Sequence, residues 1–266
     1  MRERPAYLTS ENANAFQAQS VAERYQLRSP YPDEVFDILL GLVVDTPRVV
    51  LDAGAGTGNL ARRLVEQVER VDAVDISPAM IQQGKRLPNG QHPRLRWLTG
   101  AIEKIVLEPP YALIVAGESL HWMNWEVVFP RFAGALTPRG VVAFAYPIDD
   151  PVAWQAELDA LVTRYSAIKN YQSFDLTEEL EARRLFTKTG ERETARISFT
   201  PSIEDYIASF HARSSLSLER ISAEDAAAFD QQLRAIITPH SNDGMVELQV
   251  RGSVVWGRPM GGQSGA

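Results

Sequence analysis

The 266-residue chain contains no cysteine. That excludes disulfides, thiolate metal sites and a cysteine nucleophile. Histidine is scarce, at four residues. No carboxylate–histidine cluster has metal-ligand spacing, so no metal is expected. Positive charge is in deficit, with 27 Lys and Arg against 34 Asp and Glu and a net charge of −7. A broad nucleic-acid footprint needs a basic face, so no nucleic-acid partner is expected. No apolar run approaches bilayer-spanning length, and the opening "MRERPAYLTSENANAF" lacks the apolar centre of a signal peptide. The expectation is a cytoplasmic protein with no membrane partner.

What remains is an ordinary globular composition, 45% hydrophobic and 23% charged, long enough for one large domain. Periodicity and turn residues predict helices over 11–26 and 33–43, then strand 48–52, helix 58–68, strand 71–75 and helix 78–86. Ser77 can cap that last helix, and Pro78 suits its first turn. Strands 95–99, 111–116 and 140–146 follow, with helix 125–136 before the last of them. Strands alternating with helices argue for a parallel sheet covered on both faces. Beyond Pro147 the pattern changes. Helices are predicted over 152–168 and 176–186, then a strand in "RETARISF", helices over 202–213 and 222–237, and a strand in "MVELQVRGSVVW". The two late strands are expected to pair antiparallel at a sheet edge. The glycine-rich end, "GRPMGGQSGA", reads as a disordered tail.

"VVLDAGAGTGNLARRL", Val49–Leu64, places Gly54, Gly56 and Gly58 directly behind an apolar strand. Strand, glycine turn and helix form a phosphate-cradling arrangement, but the dinucleotide pattern needs its third glycine where Asn59 stands. Asp52, just ahead of the turn, would repel a pyrophosphate and attract an ammonium group. Asp75 ends the next strand, where a carboxylate can accept hydrogen bonds from both hydroxyls of a ribose. The two acids together favour S-adenosylmethionine (SAM), a nucleoside with a zwitterionic tail and no phosphate.

At this point the chain resembles the class I SAM-dependent methyltransferases over most of its length. "VVLDAGAGTG" resembles that family's first motif, which implies cofactor contacts at Asp52, Ala53, Gly54 and Gly56. "VDAVDISPAMIQQGKR" resembles the second, which implies Asp75 on the ribose, Ile76 against adenine and Met80 beside them. "LTGAIEKI" puts Ala101, Ile102 and Glu103 at the adenine edge. Ala101 replaces the usual acid there, so the bond to the adenine amino group is lost or comes from Glu103. "LTPRG" resembles the turn before the fifth strand, with Arg139 in place of a glycine. "YQLRSPYPDEVFDIL" and "SLHWMNW" resemble the methyltransferase type 11 and trans-aconitate-methyltransferase-like branch.

The resemblance implies a Rossmann-like α/β fold, a seven-stranded, mostly parallel sheet. It would form a single domain over 1–266 with helical cap elements at 1–45, 151–189 and 201–240. It implies transfer of the sulfonium methyl of SAM to an oxygen, nitrogen or carbon nucleophile of a small molecule, leaving S-adenosylhomocysteine (SAH). Two other readings stay open: a catalytically silent SAM-binding protein, and an NAD(P) oxidoreductase that Asp52 and the glycine spacing disfavour. His121, just past the fourth strand, is either a general base or a residue ordering the loop beside Trp122. Glu118 on the same segment would contact SAM or substrate. Tyr25 and Arg28 reach the cofactor's tail if the N-terminal helix folds over the site. Tyr206, His211 and Arg213 face either the substrate or the solvent. His92 and His240 read as loop residues. "EPPY", Glu108–Tyr111, precedes the fourth strand instead of following it, so it reads as a rigid loop and not as an amino-group methylation motif.

Overall fold

The computed structural model describes residues 4–260. Two short helices, α1 (Ser10–Asn14) and α2 (Gln19–Arg24), precede α3 (Asp33–Leu42). Then come β1 (Val49–Ala53), α4 (Ala61–Leu64), β2 (Arg70–Asp75), α5 (Pro78–Arg86) and β3 (Leu95–Thr99). β4 (Tyr111–Gly117), α6 (Trp125–Ala135) and β5 (Leu136–Asp149) complete the alternating part. The remainder is α7 (Gln155–Tyr165), α8 (Leu176–Ala182), β6 (Phe186–Glu193), β7 (Ile197–Phe199), α9 (Ile203–Phe210), α10 (Ala223–Ile237) and β8 (Leu248–Pro259).

The sheet runs β3-β2-β1-β4-β5-β8-β6, with β7 also paired to β8. β1 to β5 are mutually parallel, and β8 runs antiparallel to β5, β6 and β7. Every residue of β1 is buried, as in a central parallel strand covered on both faces. Alternate residues divide between the faces. Val50, Val71, Leu113 and Val115 pack with Val35 and Leu39 of α3, while Leu51, Ile114 and Phe144 pack with Phe129 and Phe132 of α6. A separate apolar cluster joins α7, α9 and α10 through Leu158, Phe210, Phe229 and Leu233. The strand order reverses between β1 and β4, which pair in register at Asp52 and Val115. Open α/β sheets bind ligands outside the carboxyl ends of strands at such a switch point.

Several boundaries differ from the sequence expectation. The predicted helix 11–26 is broken because Ala18 is extended, which turns α2 so that Val21 and Ala22 pack on Met80 of α5. The predicted helix 58–68 keeps only Ala61–Leu64, and the predicted helix 176–186 ends at Ala182, so Phe186 opens a strand inside the expected cap range. "RETARISF" is two strands, not one. Thr194 is drawn toward β8, giving its N–H to Gly252 O and accepting from Gly252 N at Oγ1, and Ala195 donates to Glu34, so the ladder breaks between β6 and β7. The expected seven-stranded sheet thereby gains a short eighth strand. Of the expected disordered tail, Gly257–Pro259 belong to β8 because Gly257 pairs on both sides, with Val142 and Lys188. Residues 261–266 of that tail lie outside the described residues.

Candidate active site

The turn after β1 is built on backbone that glycine tolerates. Gly54 and Gly56 have φ of 72° and 57°, a region that costs a residue with a Cβ about 1–2 kcal/mol. The two positions serve different ends. A Cβ on Gly54 would lie 2.5 Å from Ser119 Cβ, so this glycine lets the β4 loop close onto the β1 turn. Ser119 Oγ completes that closure by donating to Ala53 O at 2.6 Å. A Cβ on Gly56 would meet nothing nearer than Tyr25 at 3.6 Å, so it faces open space.

That space is a pocket of about 230 Å³. Its floor is Gly54, Gly56 and Asp75, and one side is Ile76, Met80, Ala101, Ile102 and Glu103. Asp75 is pre-set by its own backbone neighbours: Gly56 N donates to Oδ2 and Ser77 N to Oδ1, both at 2.7 Å. Burial nevertheless raises the Asp75 pKa. Glu103 already accepts from Asn124 N at 2.9 Å through one oxygen. Glu118, Ser119 and Trp122 close the far side, and the N-terminal segment closes the top with Ser10, Asn14, Phe16 and Tyr25. Asp75, Glu103 and Glu118 line this pocket, and no lysine or arginine does among the described residues.

A narrow extension of about 20 Å³ runs past Gly54 to Asp52, Tyr25, Arg28, Asn59 and Glu118. Arg28 Nη2 meets Glu118 Oε1 at 2.7 Å, and its Nη1 donates to Tyr25 Oη at 3.2 Å. Burial is the largest single influence and opposes the Arg28 charge, but Glu118, Tyr25 and Tyr31 together outweigh it and raise the pKa. Glu118 itself sits at φ 51°. Backbone held in that region by a non-glycine residue tends to cluster at ligand sites. Asp52, 2% exposed, accepts from Ala61 N at 3.0 Å, and burial pushes its carboxyl up to about 7. The extension thus sets a guanidinium near a carboxylate in a space no larger than an amino-acid head.

A larger cavity of about 740 Å³ opens on the other side of Phe16, Glu118 and Trp122, which line both chambers. Leu158 of α7, Phe210 of α9, Phe199 of β7 and Leu248 of β8 supply its apolar walls. His121 lines this cavity and not the glycine-turn pocket. Its ring packs 4.8 Å from the Trp122 ring, and its backbone carbonyl accepts from Arg4 at 2.6 Å. Burial, with Arg28 and Arg4 nearby, pushes the His121 pKa down to about 4, so the imidazole is neutral at pH 7.

Residues 50–140 match the family described as a methyltransferase domain. An uncharacterised methyltransferase of Mycobacterium tuberculosis is 32% identical over 139 residues, 52% of this chain and 54% of that one. A malonyl-acyl carrier protein O-methyltransferase of Halalkalibacterium halodurans is 32% identical over 108 residues, 38% and 40% of the two chains. The fold aligns with a structure from Anaeromyxobacter dehalogenans provisionally assigned as a type II methyltransferase. The TM-score is 0.61 at 23% identity, covering 87% of this chain and 97% of that one. The matched segment is a methyltransferase domain, and the fold around it is the Rossmann-like fold of the class I methyltransferases. It spans about half the length, or less, of these curated relatives.

In this chain the structure brings together nearly all the residues singled out from sequence. Gly54, Gly56, Asp75, Ile76, Met80, Ala101, Ile102, Glu103 and Glu118 share one pocket, and Tyr25 joins it to the extension with Asp52 and Arg28. Ala53 is fully buried and forms no wall of either space. Tyr206 and Arg213 line the larger cavity, whereas His211 is buried behind it, bonded to Leu216 O and Asp230. Sequence reasoning missed Ser10, Ala13, Asn14 and Phe16. Its only signal there was Phe16, an isolated aromatic in the polar run "SENANAFQAQ". Among the described residues no group of His, Cys, Asp and Glu is placed to hold a metal ion, and no helix is long and apolar enough to cross a membrane.

Proposed function

We propose that the chain binds SAM in the glycine-turn pocket and its extension, and methylates a small-molecule nucleophile held in the larger cavity. One observation carries the reading: two chambers, one suited to a nucleoside amino acid and one enclosed by the cap, share the wall Phe16–Glu118–Trp122.

The residues present fit SAM. The pocket beside Gly56 is open where a Cβ would project, and Asp75 presents a carboxylate already ordered by two backbone N–H groups. A cation-free wall with three carboxylates disfavours a pyrophosphate and so a dinucleotide. Arg28 and Asp52 offer opposite charges for the carboxylate and ammonium of the amino-acid tail. When bound, SAM supplies a methyl already activated for in-line displacement. The chain's own work is then alignment and exclusion of water. Glu118 and Arg28 hold the junction between chambers, and Phe16 and Trp122 shield it. His121 is neutral and, with its lowered pKa, a weak base, so it acts as a hydrogen-bonding group toward the acceptor.

Calorimetry with SAM, SAH, NAD and NADP tests the reading. Binding of SAM and SAH without the dinucleotides is expected, and a preference for NAD or NADP overturns it. Methyl release from SAM across a panel of small nucleophiles separates an enzyme from a silent binding protein.

A further inference from the structure

Arg213 is a charge on a cavity wall that the fold does not explain. It follows the C-terminus of α9 and lines the 740 Å³ cavity. Other arginines here are spent on the fold: Arg220 donates to Ser214 O, Arg258 to Pro138 O and Gly140 O, and Arg139 pairs with Asp45. Among the described residues the Arg213 side chain makes no hydrogen bond and no ion pair. Its only described partner is the Phe210 ring, with the guanidinium carbon 4.4 Å from the centroid.

The side chain is exposed and lines the larger cavity, and its surroundings pull its pKa down, burial first and then Arg28. The guanidinium stays charged at every physiological pH. The position is also preorganised. His211, immediately before it, is pinned through Nδ1 to Leu216 O at 2.7 Å and through Nε2 to Asp230 at 2.8 Å. Ala212 is fully buried, and Arg213 N donates to Phe210 O. A fixed turn therefore presents a guanidinium fork with its donors free.

The carboxylates facing the same cavity do not neutralise it. Glu118 is engaged by Arg28, and Asp150 by Arg196 and Arg251. Asp159 is exposed and accepts from Gln155. Asp149 attracts Arg213 from beyond ion-pairing distance, while Arg28 repels it. An unpaired guanidinium on a cavity wall, with no carboxylate in reach, is a ready partner for an anion that enters. The fork geometry suits a planar carboxylate, which it can hold through two parallel hydrogen bonds. The neighbouring walls Leu27, Val152, Val162 and Phe199 are apolar and suit a hydrocarbon or aromatic body.

We propose that the substrate is an organic acid with an apolar body, anchored by its carboxylate on Arg213, which makes Arg213 the specificity-determining residue of the larger cavity. The proposal rests on the methyltransferase reading only in taking this cavity as the substrate chamber.

The test uses the full chain saturated with SAH and matched pairs of probes: octanoate with octanamide, trans-cinnamate with cinnamamide, and phenylacetate with phenylacetamide. In calorimetry, the acid of at least one pair is expected to bind about tenfold or more tighter than its amide, the scale of a charge-assisted hydrogen bond. R213Q is expected to bring the acid down to the amide's affinity and R213K to retain part of the preference, both with SAH affinity unchanged. Acids that bind no better than amides in every pair, or a preference that survives in R213Q, overturns the proposal. The acid preference of the unsubstituted protein stands as evidence even if R213Q fails to fold. Failure of SAH to bind would instead strike the cofactor reading, and acid binding to the free chain would still be measurable.

Discussion

Arg28 and Glu118 lie 90 residues apart in the chain and meet at 2.7 Å. The pair ties the N-terminal segment to the end of β4 where both reach the nucleoside pocket, and each side chain is 23% exposed. It closes the roof of the pocket and sets the boundary between the two chambers. Glu118→Gln keeps the shape but removes the charge. We expect SAH affinity to fall by about 1–3 kcal/mol, the range of hydrogen bonds to charged groups. Calorimetry reads this directly, and unchanged affinity would mean the ion pair closes nothing that the ligand uses.

Asp75 is held by two backbone N–H groups independently of any ligand. Asp75→Ala should therefore leave the sheet intact and lower SAH affinity by about 1–3 kcal/mol through lost charge-assisted bonds to the ribose. Circular dichroism should match the unsubstituted chain. If SAH affinity is retained, the pocket does not hold the ribose at this carboxylate.

Asp52 predicts a pH dependence with a definite sign. Its folded pKa of about 7 stands above the ordinary carboxylate value of 3.8. Between these values the folded chain binds a proton that the unfolded chain has lost, so stability falls as pH rises from about 4 and levels off above 7. The thermal midpoint should drop between pH 5 and 7 and flatten beyond, and Asp52→Asn should remove that drop. An ammonium group placed beside the carboxylate favours its ionised form, so SAH binding should strengthen over the same interval with release of a proton. A SAH affinity independent of pH from 5 to 7 would remove Asp52 from the amino-acid end.

Gly54 is guarded by protein, not by ligand. A branched side chain there meets Ser119 and Met123 before it meets the pocket. Gly54→Ala should thus lower folding stability as well as SAH affinity, by about 1–3 kcal/mol each for overpacking and strained backbone, with a lower thermal midpoint. Ser119→Gly in the same chain should restore part of the stability, because it removes the atoms at 2.5 and 2.8 Å. Loss of SAH binding with no change in stability would show that the clash is with the ligand after all.

His121 is neutral across the working range, because burial and two arginines place its pKa at about 4. Once an acceptor is in hand, the pH–rate profile between 5 and 9 should contain no step that His121→Ala removes. A step near pH 6–7 that disappears in this variant would identify the imidazole as a general base and overturn its role as a neutral hydrogen-bonding group.

The glycine turn, Asp52 and Asp75 were legible in the sequence because their geometry is local: a strand must end, turn on residues free of Cβ strain, and enter a helix. The parallel core was legible for a similar reason, since runs such as "VVLDA" and "YALIVAG" are buried on both faces and leave little choice of environment. Distant pairings are different, because no periodicity encodes which segment covers which. Only the tertiary structure folded Ser10, Asn14 and Phe16 over the pocket, since the extended Ala18 and the docking of Val21 on Met80 set that path. Only the pairing with β8 split "RETARISF", through the Thr194–Gly252 bonds. The same holds for charge. A sequence counts Arg28 and Arg213 alike, but Glu118 pairs with the first and no carboxylate among the described residues comes within ion-pairing reach of the second. Which arginine is held by protein and which is left without an ion pair depends on which carboxylates packing brings within reach.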